Sequence, residues 1–413
     1  MQPASIASTV PRNQKPSCHI PPQVRRNLRV TGNLLYKIVN KKLEFANAPA
    51  HWKYSCTNTE CTLHQIAPYV GKLKSSIARA LVQKYSNKGD LVVDPFAGAG
   101  TIVLEAALAG RRAFGSDISP YARVLSNAKL FPPNCLEDAI QKAERVLQSV
   151  ARQPSPDLRS VPSWVRAFFH PATLREAITF AQVCREPGHE FLMACFLGIL
   201  HHQRPGFLSY PSSHLVPYLR DKKYPRDDFP EMYSYRELRP RLLAKITRMF
   251  ARFSDPSCVT DLTFRRGTIE HITLPPKFDS VITSPPYMNA LDYGRDNRLR
   301  LWFINPSLVQ SVDNGVTRKR EAFISAACHL AHKVEAGLNP GGYCVLVVGE
   351  SLQRTFTAHP SEIVFQLITQ HAPSLQLKEV VCDDIPDVRR TRRECKGIKR
   401  EHFLVFQKNR NAN

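Results

Sequence analysis

No stretch of this 413-residue chain reaches the roughly 18 uninterrupted apolar residues of a membrane span. Its first residues, Met1–Ser17, are polar and contain proline, with no apolar core for a signal peptide. A cytoplasmic location is therefore expected, and the 11 cysteines read as reduced thiols rather than a disulfide framework. A zinc set is also incomplete. Cys56, Cys61 and His64 have an inviting spacing, but no fourth ligand is apparent nearby, so no metal is expected. Internal repeats and low-complexity tracts are missing, which excludes a repeat architecture. Acid is scarce: 35 Asp and Glu stand against 57 Lys and Arg, a net charge of +22. That imbalance favours a polyanionic partner.

Two stretches carry chemistry. Asp90–Gly100 reads Asp-Leu-Val-Val-Asp-Pro-Phe-Ala-Gly-Ala-Gly and leads into a helix-like run, Thr101–Gly110. The pattern is a buried strand at Leu91–Val93, an acidic residue at its end, a Gly-rich turn, then a helix whose first N–H groups are free. Gly98 and Gly100 let the backbone approach a ligand closely. A second strand, Arg112–Ser116, ends at Asp117, where a carboxylate can accept both hydroxyls of a ribose. The turn is Gly-Ala-Gly-Thr rather than G-x-G-x-x-G, which disfavours a pyrophosphate cradle.

The second stretch is Thr283-Ser284-Pro285-Pro286-Tyr287, after the strand-like Phe278–Ile282. Paired prolines cannot continue a central strand, so the chain leaves the sheet at Ser284 with carbonyls free and a Tyr beside them. A hydroxyl and a carbonyl can accept from an exocyclic amine, and a ring can stack on a base.

Together the two stretches resemble the S-adenosylmethionine-dependent DNA amino-methyltransferases. Asp94–Thr101 is similar to that family's cofactor loop, and Thr283–Tyr287 to its catalytic loop in the form associated with cytosine-N4 methylation. His64–Lys74 resembles the Pro-Tyr-x-x-Lys segment that packs beside the methionine part of the cofactor, and Met288–Phe303 and Ile398–Lys408 extend the likeness. It covers roughly residues 60–130 and 260–408. The resemblance implies a Rossmann-like α/β fold, a mostly parallel seven-stranded sheet with helices on both faces. It implies S-adenosylmethionine held by Tyr69, Lys72, Asp94, Pro95, Phe96, Ala97, Gly98, Gly100, Thr101, Asp117, Ile118 and Thr283. Ser284, Pro285, Pro286 and Tyr287 become the catalytic residues, with Ser284 Oγ and the Pro285 carbonyl taking the amine and Tyr287 stacking on an extruded base. No Pro-Cys pair is present, against ring-carbon methylation. The family's acidic contact to the cofactor adenine has no counterpart in Arg266-Gly267-Thr268-Ile269, where Thr268 is the substitute.

Along the chain, residues 1–60 read as a basic, partly disordered arm with a strand pair around Leu34–Phe45. Residues 61–131 form the cofactor part, 132–257 a helical insertion and 258–413 the catalytic part. Helices are expected over 73–86, 120–130, 136–151, 164–182, 190–201 and 238–253. Further strands are expected at Val259–Phe264, Phe278–Thr283, Tyr343–Val348 and Phe403–Phe406, the last antiparallel. The insertion is too long for a simple connection, and Arg204–Arg226 is rich in Tyr, Pro, His and basic residues. Arg204, Arg220, Lys222 and Lys223 are therefore candidates for nucleic-acid contact. So are Arg295 and Arg298 just past the catalytic loop, with at least one arginine of the set Arg295, Arg298 and Arg300 expected to form a structural ion pair. Double-stranded DNA is the implied partner, and a cognate restriction endonuclease acting on the same site is compatible with it. Adenine-N6 DNA methylation, transfer-RNA guanine-N2 methylation and a non-catalytic nucleic-acid-binding protein are the alternatives.

Overall fold

The computed structural model describes residues 45–54, 56–201, 206–209, 225, 227–286, 293–309, 320–349, 360–385 and 399–410. Eight strands form one sheet: β1 (Phe45–Asn47), β2 (Leu91–Asp94), β3 (Arg112–Asp117), β4 (Leu262–Arg266), β5 (Phe278–Thr283), β6 (Leu338–Gly349), β7 (Leu375–Ile385) and β8 (Lys399–Lys408). Their order is β1-β7-β8-β6-β5-β2-β3-β4, parallel throughout except where β8 lies antiparallel between β6 and β7. This is the expected Rossmann-like sheet with one strand more than the seven expected. The addition is β1, three residues paired parallel to β7 from Phe45 opposite Val380, and the rest of the strand pair expected around Leu34–Phe45 lies outside the described residues.

The helices are α1 (Ser75–Tyr85), α2 (Thr101–Leu108), α3 (Pro120–Leu130), α4 (Leu136–Arg152), α5 (Ser163–Arg166), α6 (Pro171–Val183), α7 (Glu190–Ile199), α8 (Leu238–Met249), α9 (Tyr293–Asp296), α10 (Arg298–Ile304), α11 (Arg320–Gly337) and α12 (Pro360–His371). None of the described helices is long and apolar enough to cross a membrane. The single segment expected over 164–182 is two helices, because Pro171 has no N–H for an upstream carbonyl and opens a new helix at N1. His170 caps it, its Nδ1 accepting from the Ala172 N–H at 3.2 Å.

Central strands read as continuous apolar runs because both faces are covered. Leu91, Val92 and Val93 are all buried, and β2 ends where Pro95 removes a ladder donor. β5 is buried along most of its length and ends the same way at Ser284-Pro285. The two therefore stop side by side, at the crevice where the order turns outward from β2 to β3 on one side and β5 on the other.

The described part of residues 132–257 shares its core with the rest of the chain. α7 is buried from Phe191 to Ile199, as a helix apolar all round must be. It crosses the 62–66 segment so closely that a Cβ at Gly198 would lie 2.1 Å from the Ile66 carbonyl oxygen. One hydrophobic cluster joins Phe180 and Phe196 to Tyr121 and Leu125 of α3 and to Leu301 and Phe303 of α10. Truncating a side chain such as Phe196 to Ala would cost about 3–5 kcal/mol.

Candidate active site

Asp94 ends β2 with 3 % of its surface exposed and accepts the Thr283 hydroxyl proton at 2.6 Å from the end of β5. Burial pushes its carboxyl up to about 7, against the Thr283 bond and a 3.3 Å bond from the Phe96 N–H. The chain then turns tightly, with the Ala97 N–H on the Ser116 carbonyl at 2.9 Å and the Gly100 N–H on the Ala97 carbonyl at 2.7 Å. Gly98 and Gly100 adopt φ of +49° and +70°, where L side chains are strained.

Each glycine also faces a close neighbour. A Cβ on Gly98 would sit 3.2 Å from the Tyr69 ring, and one on Gly100 would sit 2.5 Å from Ser126 Oγ. Tyr69 stacks in turn on Tyr121 (centroids 5.7 Å apart), whose hydroxyl donates to the Pro68 carbonyl at 2.6 Å. Beneath the loop, the buried Lys129 donates its Nζ to the Ala99 carbonyl. Burial drops the Lys129 ammonium to about 7.

Asp117 ends β3, one carboxylate oxygen accepting from the Gly98 N–H at 2.9 Å and the other from the Ser119 N–H at 2.8 Å. Burial raises its pKa despite those bonds. A carboxylate offers about four lone-pair sites, so each oxygen can still accept a hydroxyl. Ile118 beside it is 52 % exposed, an apolar face open to a planar ring. Thr101 opens α2 with a buried hydroxyl that has no partner among the described residues. Left-handed glycines, a ribose-ready carboxylate, an open apolar side chain and an unspent hydroxyl fit a nucleoside carrying a polar tail. At the neighbouring strand end, the Gly267 N–H bonds to the Asp117 carbonyl at 3.0 Å, and Thr268 Oγ1 lies 2.9 Å from His271 Nδ1.

Pro95 and Ala97 are buried in the loop and Phe96 is half-buried against the core. Lys72 gives its Nζ to the His64 carbonyl at 2.7 Å, tying the segment back on itself. His64 is bonded through Nε2 to Glu105 Oε1 at 2.8 Å, away from any shared site with Cys56 and Cys61. Burial opposes the Glu105 charge, yet the bonds from His64 and Arg79 hold its carboxyl below the usual range. This pair pins the 62–74 segment to α2.

Ser284 begins the departure from β5 with its hydroxyl proton directed at the Val347 carbonyl, a long 3.4 Å contact that leaves the oxygen lone pairs open. Pro285 is buried and Pro286 half-buried. Tyr287, Arg204, Arg220, Lys222, Lys223 and the Arg295 side chain lie outside the described residues. Arg298 is exposed, its guanidinium 4.3 Å from the Trp164 ring centroid. Arg300 is the structural member of its group. It is buried over the Tyr121 ring at 5.8 Å and donates to the Leu197 carbonyl at 3.3 Å, so its partners are a ring and a carbonyl rather than an acid.

Sequence reasoning missed Ser126 and Lys129, although helical period alone aligns them with Ala122 and Leu125 on the inward face of α3.

Residues 33–127 match the family model described as DNA methylase, N6/N4 methyltransferase. The type II methyltransferase M.MjaII of Methanocaldococcus jannaschii is 32% identical over 85 residues, 21% of this chain and 15% of that protein. M.MvaI of Kocuria varians, also a type II methyltransferase, is 24% identical over 280 residues, 59% of this chain and 58% of its own length. The matches thus span less than two thirds of either relative. Among solved structures, TrmN from Thermus thermophilus aligns with 82% of this chain and 50% of its own at 13% identity, with a TM-score of only 0.32. The cofactor loop lies inside the stretch that is similar to the DNA methylase family, and its residues fit a nucleoside.

Proposed function

We propose that the protein methylates the exocyclic N4 amine of cytosine in duplex DNA, on a base turned out of the stack. The observation that carries this reading is the Thr283–Asp94 bond, which joins the root of the Ser-Pro-Pro loop to the root of the cofactor loop at 2.6 Å. An acceptor for a base amine and a cradle for a nucleoside cofactor thus leave adjacent strand ends.

The cofactor supplies an electrophilic methyl on a sulfonium that departs as a neutral thioether. The protein's task is to position the amine and expose its lone pair, which is otherwise delocalised into the ring. Ser284 Oγ, its own proton given toward Val347, accepts one amine N–H, and the Pro285 carbonyl accepts the other. Those bonds favour a pyramidal nitrogen as the N–C bond forms, and the methylated amine then releases one proton to solvent water. Tyr287 stacks on the base. Gly98, Gly100 and Asp117 hold the cofactor with its ribose on the carboxylate and its adenine on Ile118. Arg204, Arg220, Lys222, Lys223, Arg295 and Arg298 contact DNA, and the insertion selects the sequence. A type II restriction enzyme reading the same site is the partner this role implies, with the protein in the cytoplasm on chromosomal DNA.

Purified protein, labelled cofactor and plasmid DNA test the proposal, with the modified nucleoside identified by mass spectrometry. N4-methylcytosine supports it. N6-methyladenine would keep the loop chemistry and move the target, whereas label entering only transfer RNA, or none incorporated at all, would overturn the DNA reading.

A further inference from the structure

A cleft of about 590 Å³ opens between the insertion and α10, the second described helix after the Ser-Pro-Pro loop. Trp164, Gln182, Arg185, Arg298, Trp302 and Val309 are among its lining residues. The indole of Trp164 is half-buried and carries the exposed Arg298 guanidinium 4.3 Å from its centroid. Trp302 packs edge-on to Phe303, with centroids 5.0 Å apart and planes at 86°, and belongs to the core cluster behind the cleft. Arg185 is exposed and anchored by a 3.2 Å bond to the Phe303 carbonyl. The acid of the lining, Asp157, is ion-paired with Arg159 at 3.0 Å, so the surface is left cationic. Neither tryptophan nor this cationic rim has a role in holding the cofactor or in the proposed amine chemistry.

Indole faces and guanidinium planes stack on any nucleobase, and nearby arginines attract the phosphates on either side. A net charge of +22 makes a polyanion the favoured occupant. The cleft is also lined by α10, which begins 14 residues after Ser284. We propose that it receives a nucleotide of the DNA strand beside the methylated position, its base stacked on the Trp164–Arg298 pair. This inference rests on the DNA reading above.

Fluorescence tests it directly, because the chain has 3 tryptophans and two of them line the cleft. The third, Trp52, is buried against Phe403 with ring centroids 4.9 Å apart. The probes are a short duplex with one unpaired cytosine, its fully paired counterpart, and heparin, a polyanion without bases. The unpaired-cytosine duplex should quench the wild-type protein most and heparin least. Trp164→Phe should lose a large share of that quenching, and Trp52→Phe should keep it. Trp164→Ala should weaken affinity for the unpaired-cytosine duplex about tenfold, a typical value for one stacked base, while heparin affinity stays the same. Cofactor binding by each variant reports that the fold survives. Should Trp164→Ala fail to fold, the quenching pattern of Trp164→Phe decides by itself. Unchanged quenching in Trp164→Phe, or equal duplex affinity in Trp164→Ala, overturns the cleft assignment. Either result with wild-type DNA methylation intact leaves the function standing. A wild-type protein that neither binds nor methylates DNA removes both.

Discussion

The loops after β2 and β5 leave neighbouring strand ends, yet they are fastened differently. The first is gripped from every side: Asp117 on the Gly98 N–H, Tyr69 over Gly98, Ser126 against Gly100 and Lys129 on the Ala99 carbonyl. The second, over Thr283–Pro286, is tied by side chain among the described residues through the Thr283–Asp94 bond and the long Ser284–Val347 contact. A pre-organised cradle avoids the ordering cost on binding a small ligand. A loop that must admit and release an extruded nucleotide is better left with few ties. On the proposed function, the contrast makes the cofactor side a mould with many ties and the base side a lip with few among the described residues.

Breaking the mould should have the largest effect. Gly100→Val places a β-branched residue at φ +70° with its Cβ 2.5 Å from Ser126 Oγ and 3.1 Å from Ser126 Cα, so backbone must move. Cofactor binding should vanish in calorimetry and stability should fall by about 3 kcal/mol or more. Retained affinity would show that the mould is softer than its contacts imply.

Lys129→Met sharpens the same side through pH. The folded protein holds Lys129 near 7, below its ordinary value of 10.5, so the unfolded chain binds the extra proton between those values. Wild-type stability therefore rises with pH across that window and is lowest relative to the Met variant at and below pH 7. The variant's advantage should shrink by about 1.4 kcal/mol per unit as pH rises from 7 toward 10. Denaturant midpoints at the two ends of that window test this, and parallel curves for both proteins would refute it. Cofactor affinity should fall in the variant regardless, since the Ala99 carbonyl loses its tie.

On the lip, Ser284→Ala removes one acceptor for the amine. Single-turnover methylation should slow by about a hundredfold with cofactor affinity nearly unchanged. A loss in cofactor affinity instead would mean that the two loops are not separable. Asp117→Ala should do the reverse, weakening cofactor binding by about 1.5–3 kcal/mol while the folded protein persists. An unchanged dissociation constant would remove Asp117 from the ribose.

Much of this frame is legible in the sequence because its punctuation is chemical. Pro95 and the Pro285-Pro286 pair mark where β2 and β5 must end, and Pro120 after Ser119 marks the start of α3. The long edge partner β7 and helices α11 and α12 went unread, because their mixed patterns carry meaning only beside β8 and β6. Buried charge was hardest to read: the roles of Lys129 and Glu105, and the choice of Arg300 as a structural arginine, depend on a carbonyl, a histidine and a ring that lie far away in sequence. His64, left without a role once a metal was set aside, has its partner Glu105 41 residues on.

The smallest expected effect probes the thinnest part of the mould. An adenine lying on Ile118 would turn its edge toward the end of β4, the next strand, where residues 266–269 offer no carboxylate. Thr268 is the acceptor at hand: its Oγ1 lies 2.9 Å from His271 Nδ1, and in the tautomer where that nitrogen accepts the hydroxyl proton, the oxygen lone pairs are open to an amine. A neutral bond of this kind contributes about 0.5–1.5 kcal/mol, so Thr268→Val should weaken cofactor binding only about two- to tenfold. Calorimetry with S-adenosylhomocysteine and with its inosine counterpart, whose amine is replaced by a carbonyl, makes the test specific. Wild type should prefer the adenine form, and Thr268→Val should close the gap by weakening that form alone. Equal losses for both ligands would instead mark Thr268 as a support for the strand end, leaving Ile118 to hold the adenine by its face.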